Sequence, residues 1–251
     1  MPRKIIAFDL DDTLCIAKSA IPEEISKLLG ELLSKYDVCI ISGGKLEQFK
    51  LQVIDRLDVP ADHLDRLHLM PTCGTQYYRY DAESQDWVQQ YANNLTDEQK
   101  IRATNALMES AKKLGLWIEQ PYGEIIEDRG SQVTYSALGQ QAPADEKYAW
   151  DPTGEKKMAI RDATAPLVPD LEARAGGTTS VDVTLKGVDK AYGMKHLLEA
   201  TGVSMDEVLF IGDKLEKGGN DYPVKAMGID TIAVEKWQDT ALVIETLNKV
   251  A

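Results

Sequence analysis

Residues 4–14 read KIIAFDLDDTL, and this stretch decides the fold. A short apolar run rich in β-branched residues is typical of a strand that is buried on both faces of a parallel sheet. The run ends at Asp9 and Asp11, two carboxylates that a strand end can direct into one crevice. Ligands of open α/β sheets bind beyond the carboxyl ends of the strands, so the stretch predicts a site as well as a sheet.

Two neighbouring carboxylates repel each other unless a cation or a shared proton offsets their charge. The pair Asp9 and Asp11 therefore favours a Mg²⁺ site in which one carboxylate is also a nucleophile. The simpler alternative is an acidic turn that follows a strand and has no chemical role.

The composition is that of a soluble globular protein. The chain has 251 residues, of which 43% are hydrophobic and 27% charged, enough for one large domain or two modest ones. A net charge of −13 argues against a nucleic-acid partner, which requires a basic face. The sequence shows neither a membrane span of ~20 apolar residues nor a signal peptide. Cys15, Cys39 and Cys73 are widely spaced, as expected of reduced thiols in the cytoplasm.

Strands and helices alternate at both ends of the chain, which predicts an α/β fold with a doubly wound parallel sheet. This core domain is expected to comprise residues 1–82 and 188–251. The predicted strands are residues 4–8, 37–41, 67–71, 208–211 and 231–234, with residues 75–80 as a hairpin partner. The predicted helices are residues 21–33, 45–57, 191–200, 221–227 and 239–250.

Residues 83–187 have a different pattern and predict an inserted α+β domain. Thr96 is the expected N-cap of a long helix that reaches Leu114. Strands are predicted at residues 124–128, 132–136 and 179–185. Residues 155–175 are predicted to be helical, with interruptions at Pro166 and Pro169.

Four motifs give the chain a resemblance to the haloacid dehalogenase (HAD) superfamily of phosphotransferases. They occur in the family's order, and each lies at a predicted strand end or helix start. The insert between the second and third motifs is similar to the large C2-type cap of subfamily IIB. The motifs are Asp9-x-Asp11-x-Thr13, Ser42-Gly43-Gly44, Lys190, and Gly212-Asp213 followed by Asn220-Asp221.

The resemblance implies covalent phosphoryl transfer. Asp9 would attack phosphorus and form an aspartyl-phosphate, and Asp11 would act as the general acid and base. Mg²⁺ would be held by the Asp9 carboxylate, the Asp11 carbonyl and the Asp213 carboxylate. Asn220 and Asp221 would support the metal, directly or through water, and orient Lys190.

The resemblance also assigns the groups that bind the phosphoryl oxygens. Ser42 would donate a hydrogen bond to the phosphoryl group, and Thr13 of the Asp-x-Asp-x-Thr motif would also bind phosphate. Gly43 and Gly44 would let backbone N–H groups approach at a helix start, where anions are favoured. Lys190 would neutralise the negative charge that Asp9 and the phosphate share.

Segments of the insert look like those of the eukaryotic-type phosphomannomutases. Residues 176–183 resemble the mutase strand whose Ser and Asp hold the sugar, and residues 129–140 resemble the mutase cap hairpin. Residues 187–192 look like the mutase Gly-Trp-Asp-Lys-x-Tyr. The implied substrate contacts are Arg129, Ser180 and Asp182, together with Lys18 and Gln140. Mutases of this type are often dimers through the cap, which implies a homodimer.

Departures from the mutase pattern favour a phosphatase of hexose phosphates or similar small phosphorylated metabolites. Gln140 stands where mutases have an Arg that helps to hold the non-reacting phosphate, and Lys18 also replaces an Arg. A neutral amide cannot make the bidentate contact of a guanidinium. A weak second phosphate site favours hydrolysis of the aspartyl-phosphate. The alternatives are a phosphomannomutase and, more remotely, a non-catalytic sugar-phosphate binding protein.

The first prediction concerns Gln140→Arg. We expect this substitution to raise the ratio of hexose 6-phosphate formed to inorganic phosphate released, because an arginine would hold the distal phosphate more firmly. Both products are measured in one assay of the wild type and the variant. An unchanged ratio would contradict the argument from the missing arginine.

Overall fold

The computed structural model describes residues 3–250. In chain order, the strands of these residues are β1 (Ile5–Phe8), β2 (Asp37–Ile41), β3 (Leu67–Met70), β4 (Gln76–Asp81), β5 (Asp86–Ala92), β6 (Ile126–Asp128), β7 (Gln132–Ser136), β8 (Leu171–Ala175), β9 (Ser180–Leu185), β10 (Val208–Gly212) and β11 (Asp230–Ala233). The α-helices are α1 (Glu23–Leu33), α2 (Leu46–Gln52), α3 (Ala61–Leu64), α4 (Asp97–Lys113), α5 (Ala144–Trp150), α6 (Glu155–Thr164), α7 (Lys190–Thr201), α8 (Tyr222–Ala226) and α9 (Trp237–Val250). No α-helix in this part of the chain combines the length and the apolar character needed to cross a bilayer.

The chain divides into two compact units. Unit 1 comprises Met1–Ala92 and Asp189–Ala251, and unit 2 comprises Asn93–Val188. The predicted boundary at residues 82 and 83 falls in the turn between β4 and β5, which pair in one sheet of unit 1. Strand β5 was not predicted, because its largely exposed side chains give little hydrophobic alternation.

Unit 1 is built on a sheet with the strand order β11-β10-β1-β2-β3-β4-β5. Neighbouring strands from β11 to β3 are parallel, and β4 and β5 add an antiparallel edge. The prediction of a doubly wound parallel sheet with a hairpin partner is therefore confirmed. Because the central strands are parallel, the ends of β1, β2 and β10 lie at the same edge of the sheet.

Strand β1 is buried on both faces, as its composition predicts. Ile6 and Phe8 pack in one apolar cluster with side chains of α1 and α9. Ile5 and Ala7 pack in a second cluster with side chains of α7 and α8. Adjacent strand residues point to opposite faces, so a strand between two helical layers must be apolar at every position.

Unit 2 contains an antiparallel sheet with the order β6-β7-β9-β8. Its apolar face includes Val133, Tyr135, Val181 and Val183, which cluster with side chains of α4 and α6. The α+β character of the insert is as predicted. Helix α5 was not predicted.

Residues 171–175 correct the helix that was predicted for residues 155–175. Helix α6 ends at Thr164, a 3₁₀ turn follows at Ala165–Leu167, and Leu171–Ala175 forms β8. The sequence Leu-Glu-Ala-Arg-Ala has high helix propensity, but pairing with β9 overrides this preference.

The second prediction concerns the start of α4, where Thr96 forms the predicted cap. The Thr96 hydroxyl accepts from the backbone N–H of Gln99, and the Gln99 side chain accepts from the backbone N–H of Thr96. We expect Thr96→Ala to lower the free energy of unfolding by about 1 kcal/mol, and Thr96→Ser to change it little. Urea unfolding measures both variants, and equal effects would contradict this role of the cap.

Candidate active site

A buried lysine joins two carboxylates at the carboxyl edge of the unit 1 sheet. Asp9 directly follows β1, and its backbone N–H donates to the carbonyl of Ile211 in β10. Lys190 is the first residue of α7 and is 1% exposed. Its Nζ lies 2.5 Å from Asp9 Oδ1 and 2.5 Å from Asp221 Oδ1. Residues far apart in the sequence thus meet in one ion-pair network.

Negative charge exceeds positive charge around Asp9. Burial raises the pKa of Asp9, Lys190 opposes this shift, and the carboxylates of Asp221 and Asp213 add to it. Burial alone would lower the pKa of Lys190, but Asp221 and Asp9 raise it above its ordinary value. Lys190 is therefore a firmly protonated cation among several acids, and a further cation would stabilise the cluster.

The carboxylates also satisfy the requirements of a hard divalent cation. Asp9, Asp213 and Asp221 each offer an oxygen, and these oxygens lie within 4.8 Å of one another. Asp213 Oδ1 and Asn220 Oδ1 are buried without a hydrogen-bond partner. Oxygen ligands of this type suit Mg²⁺, which would supply positive charge to the phosphoryl oxygens. Asp221, which was predicted to support the metal directly or through water, offers an oxygen within this cluster.

The loop between β10 and α8 is closed by contacts between its two ends. The backbone N–H of Lys214 donates to Asp221 Oδ2 at 3.1 Å, and the backbone N–H of Asp221 donates to the carbonyl of Lys214 at 3.2 Å. Gly219 approaches that same carbonyl so closely that a Cβ would overlap it. The Lys214 ammonium pairs with Asp213 at 2.9 Å. The loop therefore holds Asp213 and Asp221 on the same side.

Asp11 is held through one carboxylate oxygen. Its Oδ1 accepts from the backbone N–H of Lys18 at 2.7 Å and from Gln52 Nε2 at 3.1 Å. The Asp11 side chain does not belong to the carboxylate cluster around Asp9, Asp213 and Asp221. The predicted metal contact through its backbone carbonyl stays a prediction. Lys18 was predicted to contact the substrate. In the structure its backbone N–H is the group that holds Asp11, and its backbone is left-handed with a φ of 60°.

The predicted phosphoryl-binding residues lie at the ends of β1 and β2. The Ser42 hydroxyl accepts from the backbone N–H of Gly44 at 3.3 Å. The backbone N–H groups of Cys73 and Thr72 donate to the carbonyls of Ser42 and Gly44. Thr13 Oγ1 is buried without a hydrogen-bond partner. The Ser42–Gly44 loop is thus fixed in place, with Gly43 between its two anchored residues.

Ser180 and Asp182, two of the predicted substrate residues of unit 2, lie in β9 on the polar face of its sheet. Glu127, Thr134 and Asp182 face one another across β6, β7 and β9. Thr134 Oγ1 donates to Asp182 Oδ1 at 2.8 Å. Ser180 and Asp182 converge on Gly176, where a Cβ would lie 2.6 Å from Ser180 Oγ and 2.5 Å from Asp182 Oδ2. Glycine therefore makes room for the two predicted sugar ligands.

Arg129 and Gln140 lie together in unit 2. Arg129 Nη2 is 3.4 Å from Gln140 Oε1, and Arg129 Nε donates to Glu127 at 2.7 Å. Lys147 of α5, only 4% exposed, donates from Nζ to the Gln140 backbone carbonyl at 3.0 Å. Two buried cations thus flank Gln140.

Lys147 and Gln52 are two residues that the sequence analysis missed. Gln52 is a polar residue near the end of a helix, and Lys147 is one of 28 basic residues. Polar side chains of these two types are mostly exposed, so the sequence does not indicate that either is buried. Their positions next to predicted site residues arise only when distant segments pack together.

The sequence of the chain matches the model of a known protein family. The family model for eukaryotic phosphomannomutase matches residues 25–249. The chain belongs to the eukaryotic phosphomannomutase family. Two curated members illustrate the relationship. The phosphomannomutase of Saccharomyces cerevisiae is 28% identical over 233 residues, which cover 89% of this chain and 85% of the relative. That of Encephalitozoon cuniculi is 27% identical over 229 residues, which cover 88% and 84%.

Solved structures support the HAD-like fold. A haloacid dehalogenase-like hydrolase from Bacteroides thetaiotaomicron aligns with a TM-score of 0.64 and 17% identity, covering 98% of this chain and 99% of that one. The IMP-bound IMP-nucleotidase of Plasmodium falciparum aligns with a TM-score of 0.69 and 15% identity, covering 98% and 68%. At these identities the likeness concerns the fold alone. The chain is thus an enzyme-family member with an HAD-like fold.

The third prediction concerns the carboxylate cluster. At a Mg²⁺ concentration about 100 times its dissociation constant, we expect the wild type to be stabilised by about 2.7 kcal/mol. Asp213→Asn should lose most of this gain, because it removes a carboxylate from the cluster. Thermal unfolding with and without Mg²⁺ measures the effect. Glu216→Gln is the matched control, since Glu216 is an exposed carboxylate of the same loop. Equal stabilisation of the Asp213 and Glu216 variants would exclude Asp213 as a ligand.

Proposed function

We propose that this protein is a Mg²⁺-dependent hexose-phosphate mutase that interconverts mannose 1-phosphate and mannose 6-phosphate through an aspartyl-phosphate at Asp9. The observation that carries the proposal is the buried contact of Lys190 with both Asp9 and Asp221. A protonated lysine against a nucleophilic carboxylate offsets the charge that accumulates when a phosphate dianion approaches.

Each group has a defined part in the proposed reaction. Lys190 binds Asp9 Oδ1, which leaves the other oxygen of Asp9 for in-line attack on phosphorus. As the Asp9–phosphorus bond forms, the bond from phosphorus to the sugar oxygen breaks, and Asp11 gives that oxygen a proton. In the second half-reaction Asp11 takes a proton from the free hydroxyl of a hexose monophosphate, and this hydroxyl attacks the aspartyl-phosphate as the Asp9–phosphorus bond breaks. The hexose bisphosphate that forms then returns its other phosphoryl group to Asp9 and leaves as the isomeric monophosphate.

Mutase chemistry is preferred over hydrolysis for two reasons. The chain belongs to the eukaryotic phosphomannomutase family, and the relatives described above are named phosphomannomutase. In addition, two cationic side chains lie beside residue 140 although an arginine is missing there: Arg129, which also pairs with Glu127, and Lys147. A mutase needs such charge to retain the second phosphate of a bisphosphate intermediate.

A hexose-phosphate phosphatase is the second candidate, and Gln140 is the observation that favours it. The amide cannot form the bidentate pair that an arginine forms with phosphate. Lys147 supplies a point charge but no fork of donors. A weaker grip on the distal phosphate would let water hydrolyse the aspartyl-phosphate more often.

A paired assay tests the proposal. Mannose 1-phosphate and glucose 1-phosphate are supplied with Mg²⁺, with and without the corresponding hexose bisphosphate, and hexose 6-phosphate and inorganic phosphate are followed together. The mutase proposal expects hexose 6-phosphate as the main product and stimulation by the bisphosphate. Phosphate release with little hexose 6-phosphate would establish the phosphatase instead.

The fourth prediction concerns the nucleophile. Asp9→Asn should lower turnover of either sugar phosphate by at least about 10³-fold, because an amide is a poor nucleophile for phosphorus. Residual turnover is measured with the same products as above. Asp12→Asn serves as the neighbouring control and should retain most activity. Substantial activity of the Asp9 variant would remove Asp9 from this role.

A further inference from the structure

Gln52 is a buried polar side chain that contacts the predicted general acid and base. It is 2% exposed and closes α2, the helix that follows the Ser42–Gly44 loop. Its Nε2 lies 3.1 Å from Asp11 Oδ1, 2.9 Å from the carbonyl of Ser19 and 3.3 Å from Cys15 Sγ. Burying an amide in this way is costly unless such partners are present.

The partners of Gln52 all belong to the segment that follows β1. The Gln52 backbone carbonyl also accepts from the N–H of Ile21 at 2.8 Å. One residue of α2 therefore holds this segment at several points between Asp11 and Ile21. Since α2 directly follows the phosphoryl-binding loop, Gln52 connects that loop with Asp11 through a single helix.

The contacts also select one oxygen of Asp11. Gln52 Nε2 and the backbone N–H of Lys18 both donate to Asp11 Oδ1. This arrangement fixes the rotation of the carboxylate and leaves Oδ2 for proton transfer. Burial and the nearby Asp11 carboxylate raise the pKa of the Cys15 thiol above its ordinary value, which makes the thiol a poorer proton donor.

We propose that Gln52 is a positioning residue for Asp11, which it holds in the orientation that delivers a proton to the leaving oxygen. The inference deepens the proposed function, because it rests on Asp11 as the general acid. A misplaced acid slows substrates whose leaving oxygen must be protonated. It has little effect on a substrate whose leaving group departs as a stable anion.

The fifth prediction follows from this difference between substrates. With enzyme in excess, Gln52→Met should slow the release of mannose from mannose 1-phosphate by about 10- to 100-fold. The release of p-nitrophenolate from p-nitrophenyl phosphate should fall by less than about 3-fold, since this leaving group needs no proton. Gln52→Asn, whose shorter side chain keeps an amide but does not reach Asp11, should show the same substrate dependence.

Asn248→Met is the matched control for the loss of a buried amide. Asn248 Nδ2 donates to the carbonyl of Leu28, and its Oδ1 lacks a hydrogen-bond partner, as does Gln52 Oε1. This variant should match the Gln52 variants in loss of thermal stability while changing neither rate by more than about 2-fold, because it lies in no contact with the site.

The outcomes separate this inference from the proposed function. Equal losses with the two substrates, or unchanged release of mannose in both Gln52 variants, would overturn the positioning role. If the wild type forms no hexose 6-phosphate in the paired assay, or if Asp9→Asn cleaves both substrates, the proposed function itself fails, whatever the Gln52 variants show. Selective loss with mannose 1-phosphate supports the positioning role of Gln52 and the role of Asp11 as the general acid.

Discussion

The contact of the Lys190 ammonium with the carboxylates of Asp9 and Asp221 is the constraint on which the site depends. All of these groups are almost fully buried, so water cannot compensate any charge that loses its partner. Removing one member of a buried ion pair commonly costs about 3–5 kcal/mol, because an uncompensated charge remains. The network is therefore sensitive to the placement of every element that carries one of its members.

The position of Lys190 is unfavourable for an isolated helix. A cation in the first turn meets the positive end of the helix dipole, an effect of about 0.3–1 kcal/mol. Asp189 caps the helix by accepting from the backbone N–H of Tyr192, and the two carboxylates offset the remaining cost. The lysine is thus placed where the reaction needs a cation and not where helix stability favours one.

The two units contribute different properties to the proposed reaction. Unit 1 holds the nucleophile, the acid and the carboxylate cluster at the edge of a parallel sheet, where backbone hydrogen bonds fix the strand ends. Unit 2 presents a polar sheet face with Arg129, Gln140 and Asp182, and with Lys147 nearby. One fold can serve many substrates and reactions, so the proposed choice of mutase over phosphatase is argued from these polar side chains and from the family.

The sequence by itself determined the parallel core and the cap of α4, and it predicted the placement of carboxylates after β1. These features depend on local patterns: an apolar run that ends in Asp9 and Asp11, and Thr96 three residues before Gln99. Only the tertiary structure decided that residues 171–175 form a strand, that Asp221 offers an oxygen beside Asp9, and that Gln52 and Lys147 are buried. Strand pairing and the burial of a polar group depend on partners that are distant in the chain, and local sequence carries no record of those partners.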